Sequence, residues 1–237
     1  LISSTLNAQF NTKSFEVTEG DLTRNTYLRD TISDALIIYE KGNSFIHKKN
    51  FKLITEVERK VKIFNKNSDE TTVEIYLYKP DKGSAEEVRD IEAITYNYEN
   101  GFRTQARVKP SDIFREEKKN LIILKFTMPK IKDNSVITYK YTKTSDYIYN
   151  FEGWRFQSDI PTLYSEYNTS IPGNYQYNIK LVGYKELDEH TSHLKRHCLE
   201  GGNGSYADCS VTKYVMKNVP AFIEEDYMTA VDNYISQ

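Results

Sequence analysis

Residues 151–172 read FEGWRFQSDIPTLYSEYNTSIP, and no other stretch restricts the fold of this chain as much. Trp154 and Phe156 stand two residues apart, so on an extended backbone they share one face while Arg155 and Gln157 share the other. Proline brings no N–H to a ladder and is tolerated in sheets at edges, strand starts and bulges. Pro161 therefore marks an interruption and Pro172 a close. The expectation is one long strand bent at 158–161, of the kind that passes from one sheet of a sandwich to the other.

The rest of the chain carries the same strand grammar. Val, Ile and Thr runs recur and 13% of residues are aromatic, with 19 Tyr, a composition suited to pleated, half-buried surfaces. Residues 34–41 (DALIIYEK) set Leu36, Ile37 and Ile38 side by side, which predicts a central strand ending at a Gly42-Asn43 turn. In 51–64, Leu53, Val57, Val61 and Ile63 alternate with Glu56, Glu58, Lys60 and Lys62, predicting one dry and one wet face. The turn cluster NKNSDE returns 71–78 as its hairpin partner. Residues 91–98 and 102–108 form a second hairpin through Glu99-Asn100-Gly101, because Asn-Gly accepts the positive φ angles of a tight turn.

Pro110-Ser111-Asp112 predicts the cap of a short helix over IFREEKKN. Strands follow at 121–128 and 136–142, joined at Asp133-Asn134-Ser135, and then at 175–184, paired with 211–216 across a long loop at 185–210. A strand-like 231–235 comes last. The predicted fold is all-β: a large antiparallel two-sheet β-sandwich with one short helix and a long loop insertion near 185–210. Its predicted organisation is a lead-in at 1–33, the sandwich at 34–218 and a C-terminal linker or strand at 219–237. No repeat of fixed period interrupts this single domain.

A net charge of -2 supplies no field to gather nucleic acid. No apolar run reaches the roughly 18 residues of a membrane span, and the mean hydropathy is -0.66. A start at Leu1 instead of Met fits a processed chain that has lost a leader, and the abrupt stop at Gln237 fits truncation inside a larger protein. Cys198 and Cys209 flank a glycine-bearing loop short enough to bring them together. A bridge there would stabilise the fold by on the order of 3 kcal/mol, and two free thiols are the alternative. His190, His193 and His197 beside these cysteines are the residue types of a zinc site, but the paired Cys-x2-Cys spacing and the HExxH pattern are missing, so the segment reads as a polar loop without a metal.

No nucleophile with a local activating context stands out, so no catalytic residue is assigned and no cofactor is expected. Asn168 and Asn203 match the glycosylation acceptor pattern, which carries no weight alone. Tyr96, Tyr98, Tyr147 and Tyr149 are candidate aromatics for binding sugars or peptides, with cross-strand packing as the competing reading.

The order of segments DALIIYEKGN, VERKVKIFNKNSDETTVEIYLY, IEAITYNYENGF, GWRFQSDIPTLYSEYNTSIP and NVPAFIEEDYM resembles the domain of unknown function that precedes transglutaminase-like domains in secreted Bacteroidetes-type bacterial proteins. Trp154, Phe156 and Gln157, followed by Pro161 and Pro172, are the most recognisable run, and Pro220, Ala221 and Glu225 close it. The resemblance implies a β-sandwich exported to the periplasm or cell surface. It would act as a non-catalytic accessory domain, structural or substrate-presenting, beside a transglutaminase-like or cysteine-peptidase-like domain of the same chain. That domain would hold the catalytic residues, so none transfers to this sequence. The alternative is a cell-surface module that binds cell-wall glycan or protein through exposed tyrosines and sheet edges.

Overall fold

The computed structural model describes residues 9–149, 151–201, 204–224 and 234–237. After a short helix α1 (Glu19–Thr23) come eleven strands: β1 (Ala35–Ile46), β2 (Leu53–Ile63), β3 (Thr72–Tyr78), β4 (Glu87–Glu99), β5 (Phe102–Arg107), β6 (Phe114–Lys118), β7 (Leu121–Thr127), β8 (Val136–Ser145), β9 (Thr162–Pro172), β10 (Glu189–Glu200) and β11 (Tyr206–Val219). Eight make a large sheet in the order β10-β11-β9-β1-β2-β8-β4-β5, and three make a small sheet, β3-β7-β6. The all-β, two-sheet reading of the sequence matches this architecture.

The dry core lies where the small sheet faces the β1, β2, β8 and β4 part of the large one. Val61, Ile63 and Ile137 from below meet Ile75, Leu77, Ile122 and Phe126 from above. β1 is central, as its apolar run requires, with Leu36, Ile37 and Ile38 each at most 1% exposed. Its pairing with β9 is parallel, whereas every other ladder is antiparallel. The Asn-Gly hairpin joins β4 to β5, with Asn100 at φ 51 and Gly101 at φ 82, the paired positive values of a tight hairpin turn.

Several expectations need correcting. Gly42-Asn43 is no turn, because β1 runs straight through it. Gly42 is there to admit the Trp154 ring, whose Cζ3 would lie 2.4 Å from any Cβ. β2 and β3 are not a hairpin: β2 pairs with β1 and β8, and residues 64–71 carry the chain across to the small sheet, where β3 pairs with β7. The predicted helix after Asp112 is the edge strand β6, exposed at all five residues and laddered to β7. Pairing with β7 satisfies one backbone edge of this segment at once. The helix lies instead at α1, closed by a capping box between Thr18 and Asp21.

The wet face of β2 is also only partly wet. Lys60 and Lys62 are fully buried beneath residues 9–24. Lys60 Nζ donates to the carbonyls of Asn11, Ser14 and Glu16 and to Asp21 Oδ2, at 2.7–3.1 Å. Lys62 Nζ donates to the carbonyls of Asp21, Leu22 and Asn134. Burial holds both ammonium groups below the ordinary lysine range, Lys62 at about 8, with Asp21 opposing the shift.

The 151–172 stretch is not one bent strand. β9 begins only after Pro161, whose carbonyl accepts the Ile37 N–H at 2.9 Å, and it ends at Pro172 opposite Cys209. Residues 151–161 run outside the sheet as a cover over it. No strand forms at 175–184, and the supposed loop at 185–210 is largely the hairpin of β10 with β11. Propensity hid this, because β10 is polar along nearly its whole length. Most of the strand expected at 231–235, and Glu225 and Asn203 as well, fall outside the described residues.

Candidate interaction surface

The four candidate tyrosines do not converge. Tyr96 and Tyr98 lie on β4 beside the N-terminal segment. Tyr96 is buried under the Arg103 guanidinium, 4.4 Å from its ring centre, and Tyr98 donates to Glu19. Both residues help dock that segment. Tyr147 and Tyr149 follow β8 on the far side. Tyr147 meets Tyr78 and Tyr149 edge to face at 5.3 and 6.3 Å, and Tyr149 is 74% exposed. Next to them Lys143 bridges Glu86 and Glu152 at the rim of a cleft of about 210 Å³ that Tyr76 and Tyr78 also line. Tyr96 and Tyr98 belong to the β4–β5 hairpin and Tyr147 and Tyr149 to the segment after β8, a separation that tyrosine spacing alone could not reveal.

Trp154 lies over β1 and β9. It stacks on Tyr167 at 5.3 Å, and its indole N–H donates to Ser165 Oγ at 2.9 Å. Ser165 in turn donates to the buried Glu40 at 2.6 Å. The other Glu40 oxygen lies 2.8 Å from Arg59 Nη2, an ion contact without aligned hydrogen-bond geometry. Burial alone would lower the Arg59 pKa, but facing Tyr139, Glu40 and Glu70 hold it above the ordinary arginine range. Phe156 packs with Tyr167, Met216 and Val219. Gln157 stitches two chain ends together, with its amide donating to the Pro220 carbonyl and accepting the Ser236 N–H. Trp154, Phe156, Gln157 and Pro161 thus hold the cover onto the sheet.

The opposite face of β1, β9, β11 and β10 carries a ladder of charge. Lys41 pairs with Glu166 at 3.0 Å, Lys213 with Glu166 and Glu189, and Lys217 with Glu189. Tyr39 and Tyr164 stack alongside, 5.6 Å apart. Burial would raise the Glu166 pKa, but hydrogen bonds from Tyr164, Asn168 and Lys41 outweigh it and hold the carboxyl at about 2. Sequence reading missed this array because its members are spread over four strands, β1, β9, β10 and β11, and register alone brings them into line.

At the end of this face lies a groove of about 760 Å³ between the 45–49 segment and β10. Phe45, Val211 and the bridged pair Cys198–Cys209 line it, with Cα atoms of the pair 5.7 Å apart. The histidines disperse: His190 stacks on Tyr214, His197 leans on Tyr206, and His193 lines the groove. With both sulfurs bridged, no thiolate is present to join them. Among the described residues no three His, Cys, Asp or Glu stand together as metal ligands, and no helix is long and apolar enough to cross a membrane.

No protein-family model and no curated protein matches the chain. Among solved structures, it is similar to a "putative protease" from Parabacteroides distasonis, with a TM-score of 0.60 at 13% identity over 86% of this chain. The likeness spans only 39% of that protein's length. It is a likeness of fold. A second match, to yeast LTA4 hydrolase in complex with bestatin, has a TM-score of 0.28 at 10% identity over 78% of this chain and 29% of that one, too low to carry an argument.

Proposed function

We propose that this chain is a non-catalytic accessory domain, structural or substrate-presenting, of a longer exported protein whose protease-like or transglutaminase-like activity resides in another domain. The observation that carries this reading is the asymmetry of the fold likeness. Nearly all of this chain corresponds to well under half of a protein described as a "putative protease". The polar groups inside the fold agree with a scaffold: Glu40, Arg59, Ser165 and Trp154 are spent on one another. A bridged Cys198–Cys209 pair supports export, since such bonds persist in oxidising compartments.

The test is to express the full open reading frame, this domain alone and the remainder alone, and to assay amide hydrolysis and transamidation on a protein substrate. Turnover should require the remainder, and adding this domain should raise the melting temperature of the remainder or its apparent substrate affinity. Turnover by this domain alone, or a remainder indifferent to its presence in both measurements, refutes the accessory reading.

A further inference from the structure

The large-sheet face described above is electrically uneven. Along its middle, cations alternate with carboxylates and neutralise one another from Lys41 through Glu166, Lys213 and Glu189 to Lys217. In the groove at its end the pattern stops. His47, Lys48, Lys49, His193 and Lys195 line it, and no aspartate or glutamate does. None of the three lysines forms an ion pair among the described residues. Lys48, Lys49, His193 and Lys195 are all exposed.

Three cations held around one concavity repel one another, so the site gains most from an anionic occupant. The floor between them is apolar, formed by Phe45 and Val211. One wall is β10, the outermost strand of the sheet among the described residues, and β11 and β9 lie between it and the 45–49 segment. It is twelve residues long and exposed from His190 to His197. A positive rim and an apolar floor, spread over the face of four adjacent strands, are together the recognition elements of an extended acidic peptide.

We propose that this groove binds an acidic polypeptide segment in extended conformation, lying on the sheet face between the 45–49 segment and β10. The proposal concerns the isolated chain and stands whether or not an enzyme domain is attached. Carboxylates of the peptide would meet Lys48, Lys49 and Lys195, while the aliphatic parts of its side chains would cover Phe45 and Val211. The Cys198–Cys209 bond ties the end of β10 to β11 and keeps that wall in place.

A fluorescein-labelled hexaglutamate peptide provides the probe, read by anisotropy against the whole chain. Saturable binding that weakens as salt is raised is expected, with affinity falling about tenfold or more in K48E/K49E and in K195E. Lys109→Glu, away from the groove, should leave it unchanged. These lysines are exposed, so the variants should fold, and their melting temperatures check this directly. Equal affinity of wild type and variants overturns the proposal, as does equal binding of hexalysine. Tighter binding of an oligogalacturonate than of the peptide would make the groove a glycan site and overturns it too.

Discussion

Replacing Lys60 with methionine probes the least expected feature of this fold, the burial of two lysines on a strand face that the sequence presents as wet. The wild-type ammonium sits at 0% side-chain exposure and has four oxygen partners, three backbone carbonyls and Asp21 Oδ2. Methionine fills a similar length but donates nothing. Asp21 would keep its hydrogen bonds from the Asn11 and Thr18 backbone N–H groups and the Thr18 hydroxyl, yet its charge would lose the partner lying 3.0 Å away. Removing one member of a buried pair costs about 3–5 kcal/mol. The apolar burial of methionine offsets part of that, so a net loss of about 3 kcal/mol is expected.

Against a total stability of about 5–15 kcal/mol such a loss is easily measured by urea unfolding. The loss should be local first. Hydrogen exchange should accelerate through residues 9–24 before it does in β1 or β8, since Val17 and Leu22 are the apolar anchors of that segment against Ile94, Tyr96 and Val136. In K60M/D21N both charges are gone, and the cost should fall below the sum of the single changes. A K60M protein within about 1 kcal/mol of wild type, with exchange at 17–22 unaltered, would refute the clamp.

Gly42→Ala would put a methyl 2.4 Å from Trp154 Cζ3 and 2.9 Å from Tyr167 Cδ2, and should cost about 1–3 kcal/mol by overpacking. Tryptophan emission should shift to the red as the ring lifts from β1, and an unshifted spectrum at unchanged stability would contradict the packing described. Acid should weaken the ladder at Glu166. Its folded pKa of about 2 lies below the ordinary 4.5, so its contribution, on the order of 3 kcal/mol, is fully present above pH 4.5 and lost as pH falls through the folded value. Stability of Glu166→Gln should therefore decline less steeply than wild type between pH 5 and pH 2, and parallel curves would exclude Glu166 as a source of the acid sensitivity.

Local signals carried a good part of this fold. Asn100-Gly101 specified a hairpin because its geometry depends on two residues, and the apolar run of β1 specified a central position because it has no face for water. What the sequence hid was non-local. Residues 64–71 have the composition of a hairpin turn, and nothing in them says that the chain leaves one sheet for the other. Gly42 resembles a turn glycine until Trp154, far along the chain, lands on it. β10 resembles a loop because its stability comes from its ladder to β11 and not from its own side chains, and β-propensity measures mostly the latter. The tyrosines looked like a platform in the sequence, but Tyr96 and Tyr98 are occupied by Arg103 and Glu19, leaving Tyr147 and Tyr149 as the outward-facing pair.

The distribution of covers over the large sheet bears on where a partner could sit. One face is covered along most of its width, by the small sheet over β2, β8 and β4 and by the Trp154 segment over β1, β9 and β11. The other face is covered by residues 9–24 near β2, β8 and β4. Over β1, β9, β11 and β10 its ladder of opposite charges satisfies itself sideways, without a covering layer among the described residues. A face awaiting an apolar partner would leave large hydrophobic side chains in the open, and this one instead has its charges already matched. Unmatched charge remains at the disulfide end, where Lys48, Lys49 and Lys195 surround an apolar floor. Specific attraction on this half of the sheet is therefore concentrated at one end, in the groove between the 45–49 segment and β10, and an acidic chain docked there would stay clear of the paired ladder.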